Sequence, residues 1–423
     1  MKCISVICAV PPGLNPGMAS VDMGCHAFLA RAGINVEVHF YHFISLEERL
    51  AHKKIYDKKD RLAQMRLPIT YEVMHNNLDK IYASDAILFW GDFLHDALYH
   101  KRMAKMVWQL DMAKTIKEAG DVVNQYLFLS EAPKGVLSKT FAFGETIIFN
   151  RATDYTNVKY IENMKKFFGG IHSVWMRDVY SALKVSQLRN DYSSSHLGVD
   201  CSMLVDEKDF EKIMLDSKNK SSENRGEQIG VFFGRTSEGF EILGKFMKEF
   251  WRASLMPMVW IPWGDDTAFK TQNMSKIMRK LKHLKWVDYK ALPNIADIYL
   301  QLKECTLVIS DTYHVCLNAW RMGIPAICIG EALPTGERNW NSGYEYAWRD
   351  KRRTFYSMYD AMEFYVCKEE LSSRVGRRRR VEQLISLIKK NDAITTIKSS
   401  IGQHRDHVEQ QLGKSLSDVL SKS

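Results

Sequence analysis

No stretch of this chain approaches the ~20 consecutive apolar residues that an α-helix needs to cross a bilayer. The longest apolar candidates are broken by Gly, Asp or Lys, which argues against a helical membrane span. The first residues, MKCISVICAV, carry one lysine and then an apolar run ending in Pro11-Pro12, with no small-residue cleavage pattern, so they read as a first core strand and not a secretory signal. The eight cysteines, at 3, 8, 25, 201, 305, 316, 328 and 367, show no CxxC and no Cys/His ligand spacing. This predicts reduced core thiols in a cytoplasmic protein and no required metal. His95 and His100, near Asp96, lack ligand spacing too, and Asp265-Asp266 reads as a helix cap. Repeats and low-complexity runs are absent.

The net charge of +9 is not laid out in the aromatic-interleaved patches that bind nucleic acid. It gathers near the C-terminus, in Lys351-Arg352-Arg353 and in Arg377 to Arg380. A solvated helix face is the first expectation there, and peripheral contact with anionic lipid head groups at the inner face of a membrane is the alternative.

What is present is a long alternation of strand and helix patterns, in a chain of 423 residues that is 46% hydrophobic. At ~100–200 residues per domain, that is enough for two cores. In the first half, residues 2–10 read as a strand, 21–32 as a helix ended by Gly33, and 34–40 as a second strand. Residues 45–83 are charged and helical in pattern. A buried strand follows within 82–96 and breaks at Gly91-Asp92, where Gly91 permits close backbone approach to a ligand. Further strands are expected at 122–129, 146–149 and 171–175, with helices at 154–168 and 178–188. Residues 206–227, charged and rich in Ser and Asn, read as a linker. Five strands then alternate with helices: 229–233, 258–260, 286–288, 307–309 and 326–329, with helices at 238–252, 267–282 and 294–304.

This pattern predicts an α/β protein with two Rossmann-like domains, 1–205 and 228–350, and a basic helical segment, 351–423. The last helices are expected to cross back to the first domain, with fraying after Ile401.

The most informative stretch is LVISDTYHVCLNAWRMGIPAICIG, from Leu307 to Gly330. A fully apolar strand turns polar at Ser310 and Asp311, both N-cap residue types, and the short helix stops at Gly323 and Pro325. Thr312, Tyr313 and His314 thereby fall at the carboxyl end of a parallel strand and in the first turn of a helix, where free N–H groups favour anions. His314, with an ordinary pKa of about 6.5, could move a proton or merely cap its own turn. Arg177 in HSVWMRD also ends a strand, and its planar fork suits a carboxylate or phosphate, or else an ion pair with Asp178 or a cleft carboxylate. Arg235 follows the first strand of the second domain in FFGRTSEG, beside Thr236 and Ser237. It is an anion contact or, with Glu238, part of a solvated helix start.

Three stretches, Asp85 to Asp92 (DAILFWGD), VWMRDVYSALK and the 307–330 segment, together resemble the polysaccharide pyruvyltransferase family over residues 1 to about 335. The resemblance implies a GT-B-like arrangement with a central cleft. It also implies transfer of a pyruvyl group from phosphoenolpyruvate to sugar hydroxyls of a cell-surface polysaccharide or its lipid-linked precursor. The product is a pyruvate ketal, and no cofactor is needed. It places His314 and Arg177 in catalysis, and Thr312, Tyr313, Asp311, Gly91 and Asp92 at the donor. Two departures stand out. Thr312 occupies the position of the family's arginine, two residues before the histidine, so Arg235 is the expected substitute. Gly91 stands alone where the family tends to have consecutive glycines. Two alternatives stay open: a GT-B glycosyltransferase using a nucleotide sugar, with Gly330-Glu331 at the ribose, and an inactive glycan-binding relative.

Overall fold

Strands buried on both faces must be covered by helices, and the apolar runs of the first half do pair into one parallel sheet. The computed structural model describes residues 1–9, 15–45, 67–206, 208–209, 227–235, 240–261, 263, 284–285, 295–330 and 350–423. The first sheet comprises β1 (Cys3–Cys8), β2 (Glu37–His42), β3 (Tyr71–Val73), β4 (Ala86–Asp92), β5 (Thr140–Glu145) and β6 (Ser173–Met176), in the order β3-β2-β1-β4-β5-β6. Its helices are α1 (Pro16–Arg31), α2 (Leu78–Ala83), α3 (Ala97–Gln109), α4 (Ile116–Leu127), α5 (Val158–Gly170) and α6 (Val179–Arg189). Helix α1 begins cleanly because the Asn15 side chain accepts from the Gly17 amide and Pro16 opens the first turn.

The second sheet comprises β7 (Ile229–Phe232), β8 (Met258–Trp260), β9 (Leu284–Lys285), β10 (Leu307–Ser310), β11 (Ala326–Gly330) and β12 (Tyr365–Cys367), in the order β12-β11-β10-β7-β8-β9. Its described helices are α7 (Phe240–Ser254), α8 (Ile295–Lys303), α9 (Tyr313–Arg321), α10 (Lys351–Met358), α11 (Arg374–Lys390) and α12 (Asp392–Lys422). Both sheets are parallel throughout and share one strand order. Strand order therefore reverses between β1 and β4 and again between β7 and β10, and a crevice opens at the carboxyl ends of those pairs. One hydrophobic cluster runs through both halves, joining Trp90 and Phe143 to Val231, Leu317 and Leu412.

Several expectations need correction. Residues 122–127 belong to α4, whose Ala119, Val123 and Leu127 face the core at helical spacing. Thr115 caps that helix by accepting from the Glu118 amide, and Glu118 reaches back to the Lys114 amide. The fifth strand is 140–145, not 146–149, because Thr146 turns away to donate to Asp178. Strands β3 and β12, three residues each, were not anticipated, and β12 extends the second sheet beyond residue 350. The segment after Ile401 is not frayed: it is helical to Lys422, with Val408, Leu412, Leu416, Val419 and Leu420 buried. It does cross back, through Ser415 to Ser173 at 3.1 Å and Glu409 to Arg31 at 2.9 Å.

Nor is the basic segment simply a solvated face. Arg377 is buried and donates to the Leu371 and Ser372 carbonyls, and Arg380 donates to those of Glu363 and Tyr365. Among the described residues no helix is long and apolar enough to cross a membrane. All eight cysteines are free thiols, six of them buried. Nearly all of the expected linker, Asp265-Asp266, the 267–282 helix, the 286–288 strand, Thr236, Ser237, Glu238 and Glu331 lie outside the described residues.

Candidate active site

Arg177 leaves β6 at its carboxyl end, its amide held by the Glu145 carbonyl of β5 at 2.9 Å. Its Nη1 donates to Asp200 Oδ2 at 2.8 Å, and both side chains are buried. Asp178, the other candidate partner, instead caps α6 by accepting from the Ser181 amide. Asp200 sits in an irregular stretch that is bridged to the end of β6 through Met176 and Leu197. There it caps a short 3-10 turn, accepting from the amide and hydroxyl of Ser202. Asp200 was not singled out in the sequence; the Asp-x-Ser cap signature at 200–202 is the only local signal.

From the second sheet, β10 delivers His314 to the same carboxylate, Nε2 lying 3.8 Å from Asp200 Oδ2. The ring of the neighbouring Tyr313 faces the Arg177 guanidinium at 5.5 Å, and Phe93 faces it at 5.0 Å. Lys351, at the start of α10, places its Nζ 4.9 Å from the Tyr313 ring and 5.1 Å from that of Phe93. The crevice between the two switch points therefore carries two cations, an ionised carboxylate and an imidazole.

The electrostatics divide the labour. Burial alone would lower the Arg177 pKa, but Asp200, the Tyr313 hydroxyl and Asp92 hold it above its ordinary value. Burial would likewise raise Asp200, yet Arg177, His314 and Ser202 hold its carboxyl well below the usual range. His314 goes the other way: burial pushes it down to about 4 despite Asp200, so near neutral pH it is an uncharged imidazole able to accept a proton. Asp92 is raised by burial against the pull of Arg177 and Lys351. Two nitrogens here, Arg177 Nη2 and His314 Nε2, are buried without a hydrogen-bond partner among the described residues, an arrangement that is costly unless a ligand supplies one.

The remaining expected residues are placed as follows. Asp311 accepts from the amides of Gly234 and Arg235 and from the Thr312 hydroxyl, tying the end of β7 to the end of β10. Thr312 begins α9 with its amide on Ser310 Oγ. Arg235 has an exposed side chain, and the cations found at the Tyr313 ring among the described residues are Arg177 and Lys351. Gly91 has φ 74°, and a β-carbon there would stand 2.6 Å from Val21 Cγ1 and 3.2 Å from Cys201 Sγ. Its glycine is therefore demanded by backbone conformation and by packing against α1. Asp92, also left-handed at φ 57°, follows it into the crevice.

His95 and His100 are structural. His95 lies buried between Glu145 Oε2 at 2.5 Å and the Leu127 carbonyl at 2.6 Å, and His100 meets Asn124 at 2.9 Å. Three groups that showed no ligand spacing do converge in the first half: Cys8, Asp22 and His42 have ligand atoms within 4.8 Å of one another.

The fold resembles that of a UDP-GlcNAc 2-epimerase from Neisseria meningitidis, solved bound to UDP-GlcNAc, with a TM-score of 0.55, 10% identity and all of both chains covered. A Listeria monocytogenes protein assigned as a UDP-N-acetylglucosamine 2-epimerase superposes at a TM-score of 0.51 and 10% identity, covering 94% of this chain and 90% of that one. At such identity these likenesses bear on fold alone, and they identify the two-sheet arrangement as GT-B-like. No curated protein matches by sequence. The sequence profile of polysaccharide pyruvyl transferases matches residues 26–332, a span that holds Arg177, Asp200 and His314. The chain belongs to the polysaccharide pyruvyl transferase family and is a transferase.

Proposed function

We propose that this enzyme transfers the pyruvyl group of phosphoenolpyruvate to two hydroxyls of a sugar, giving a pyruvate ketal and phosphate. The acceptor is a glycan or its lipid-linked precursor. The observation that carries the reading is a pair of buried nitrogens, Arg177 Nη2 and His314 Nε2, that have no hydrogen-bond partner among the described residues and lie on either side of an ionised Asp200. The donor bears a carboxylate and a phosphate, and Arg177 with Lys351 supplies two cations for them. Lys351 takes the part of the arginine replaced by Thr312, and Arg235, exposed at the end of β7, reaches the outer face of the ligand.

His314, uncharged, takes the proton of the first hydroxyl on Nε2 and passes it to the methylene carbon C3, while the hydroxyl oxygen bonds to C2. Asp200 stabilises the transient imidazolium. The C2–O bond to phosphate then breaks, the second hydroxyl closes the ketal, and its proton leaves with phosphate, so atoms and charge balance. Exposed basic residues of the C-terminal segment, among them Arg374, Arg378 and Arg379, are able to face anionic head groups of a membrane that carries the acceptor.

The test is thermal stabilisation of the pure chain by phosphoenolpyruvate against a panel of UDP-sugars, since a ligand at 100 Kd adds about 2.7 kcal/mol. Stabilisation by phosphoenolpyruvate that Arg177→Lys weakens, with acceptor-dependent phosphate release lost in His314→Asn, is the expected result. Stabilisation by a nucleotide sugar alone would replace this reading with glycosyl transfer.

A further inference from the structure

Cys8 closes β1, His42 closes β2, and Asp22 lies on α1, the crossover that joins these strands. Cys8 and His42 are register partners across the parallel pair. A right-handed crossover lays its helix over that pair, which is how three residues without any ligand spacing in sequence meet at one point. All three side chains are buried, and Sγ, a carboxylate oxygen and an imidazole nitrogen lie within 4.8 Å of one another.

The internal geometry is that of a set of ligands. His42 Nε2 and Asp22 Oδ2 stand 3.7 Å apart. That is too long for a hydrogen bond and close to the span of two ~2.1 Å bonds meeting at a tetrahedral ion. Tyr71 fixes both groups: its hydroxyl donates to Asp22 Oδ2 at 2.8 Å, and its ring stacks on His42 with centroids 3.9 Å apart. Such outer contacts orient metal ligands and tune their affinity. A carboxylate buried beside a thiol and an imidazole is stabilised by a positive charge at the same point. A divalent cation provides one. The sulfur and nitrogen donors select a borderline-soft ion and select against magnesium and calcium, which take oxygen.

We propose that Cys8, Asp22 and His42 form a binding site for a zinc-class divalent cation, with a fourth position open to water. The ion pins α1 to the ends of β1 and β2. Gly17, ~7.5 Å along the same helix from Asp22, packs against His314. The metal thus positions the catalytic crevice from behind and takes no part in the transfer step. The inference rests on the cluster alone and stands apart from the choice of donor.

The full chain, stripped with a chelator, would be titrated with Co²⁺ and then Zn²⁺ and followed by its absorption spectrum and melting temperature. The expected result is one equivalent of Co²⁺ bound with a thiolate-to-cobalt charge-transfer band, displacement by Zn²⁺, and a higher melting temperature with either ion. Cys8→Ser should remove the band, Cys25→Ser should keep it, and Tyr71→Phe should weaken affinity by roughly tenfold or more. Absence of stoichiometric uptake by the wild type overturns the proposal whatever the variants do. A band that survives Cys8→Ser overturns it as well, since the thiolate would then belong to another cysteine.

Discussion

Gly17 lies so close under His314 that a β-carbon at that position would stand 2.1 Å from the imidazole Nδ1. The first turn of α1 is thus the floor on which the imidazole rests, and a residue of the first sheet's crossover sets the orientation of a residue of the second sheet. Helix propensity alone would favour alanine here by about 1 kcal/mol. The contact reverses the sign, because the neighbour is a buried ring and not the free end of a flexible side chain. Gly17→Ala should destabilise the protein by about 1–3 kcal/mol in urea unfolding and lower kcat at least tenfold, with a smaller change in donor KM. An alanine variant with unchanged kcat would mean that the ring position is not critical.

Arg177 and Asp200 form a buried pair, so removing one partner should cost more than removing both. Arg177→Met leaves the Asp200 carboxylate without its guanidinium and should lose about 3–5 kcal/mol. Asp200→Asn keeps the cap on the Ser202 turn, so Arg177→Met/Asp200→Asn should recover most of that loss while remaining inactive. A double-mutant cycle by urea unfolding gives the coupling, and phosphate release checks the activity. Additive losses would contradict the pairing.

Lys351 predicts a different signature. It lies over Tyr313 and Phe93 and is only half-buried, so Lys351→Met should leave the melting temperature nearly unchanged. Donor KM should rise roughly 10-fold or more as one charge-assisted contact is lost. Lys351→Arg should restore most of it. Arg235→Ala, made in parallel, measures how much the exposed arginine contributes.

His314 makes stability depend on pH with a definite sign. Burial holds it at about 4 in the folded protein, against roughly 6.5 unfolded. Between those values the unfolded chain binds a proton that the folded one does not, so its stabilisation is complete above the unfolded pKa and is lost as pH falls toward 4. The group is buried, and the loss between pH 7 and pH 5 should be roughly 2 kcal/mol. Asp96, raised to about 6 by burial, acts oppositely: its contribution is present below the ordinary carboxylate range and lost as pH rises through 6. The wild type must therefore be compared with His314→Asn at both pH values. Unfolding in the variant should be less acid-sensitive by about that amount, and equal slopes would place the titration elsewhere.

How much of this was legible in the sequence follows from how local each signal is. Strands β1, β4, β7, β10 and β11 are apolar runs buried on both faces, and each reads as a strand unaided. Three-residue β3 and β12 are too short to carry a period, and residues 122–127 of α4 offered apolar neighbours that suit a strand until the Thr115–Glu118 cap is noticed. In the site, Arg177 and His314 stood out because polar residues at a strand end and at a helix start are local signals. Asp200 did not, since its approach to Arg177 depends on an irregular segment pairing with β6 through Met176 and Leu197. Lys351 was lost within a basic run whose members point to different places: Lys351 lies over the crevice aromatics, and Arg352 is clamped on Asp350 and donates to the Asp311 carbonyl at 2.8 Å. Cys8, Asp22 and His42 meet only through a crossover, which no spacing rule encodes.

Helix α12 supplies the last test, because it crosses back as expected but stays helical and buried beyond Ile401, where fraying was expected. Ile394, Ile397 and Ile401, then Val408, Leu412, Leu416 and Val419, recur at three- and four-residue steps and are buried, the stripe of a helix laid on a core. Leu412 is fully buried in the cluster that joins both sheets, and Gly413 beside it faces the ring of Phe28 on α1. Leu412→Ala should therefore cost about 2–5 kcal/mol. Truncation after Ile401, which removes five buried aliphatic side chains worth about 1.5–3 kcal/mol each, should leave no stable fold. Because α12 packs on α1, the milder Leu412→Ala should also lower kcat through the Gly17 floor beneath His314, even though residue 412 touches no part of the crevice. Melting temperature and phosphate release measured together separate the two outcomes. A chain ending at 401 that melts like the 423-residue chain would show that the helix is an appendage and not a brace.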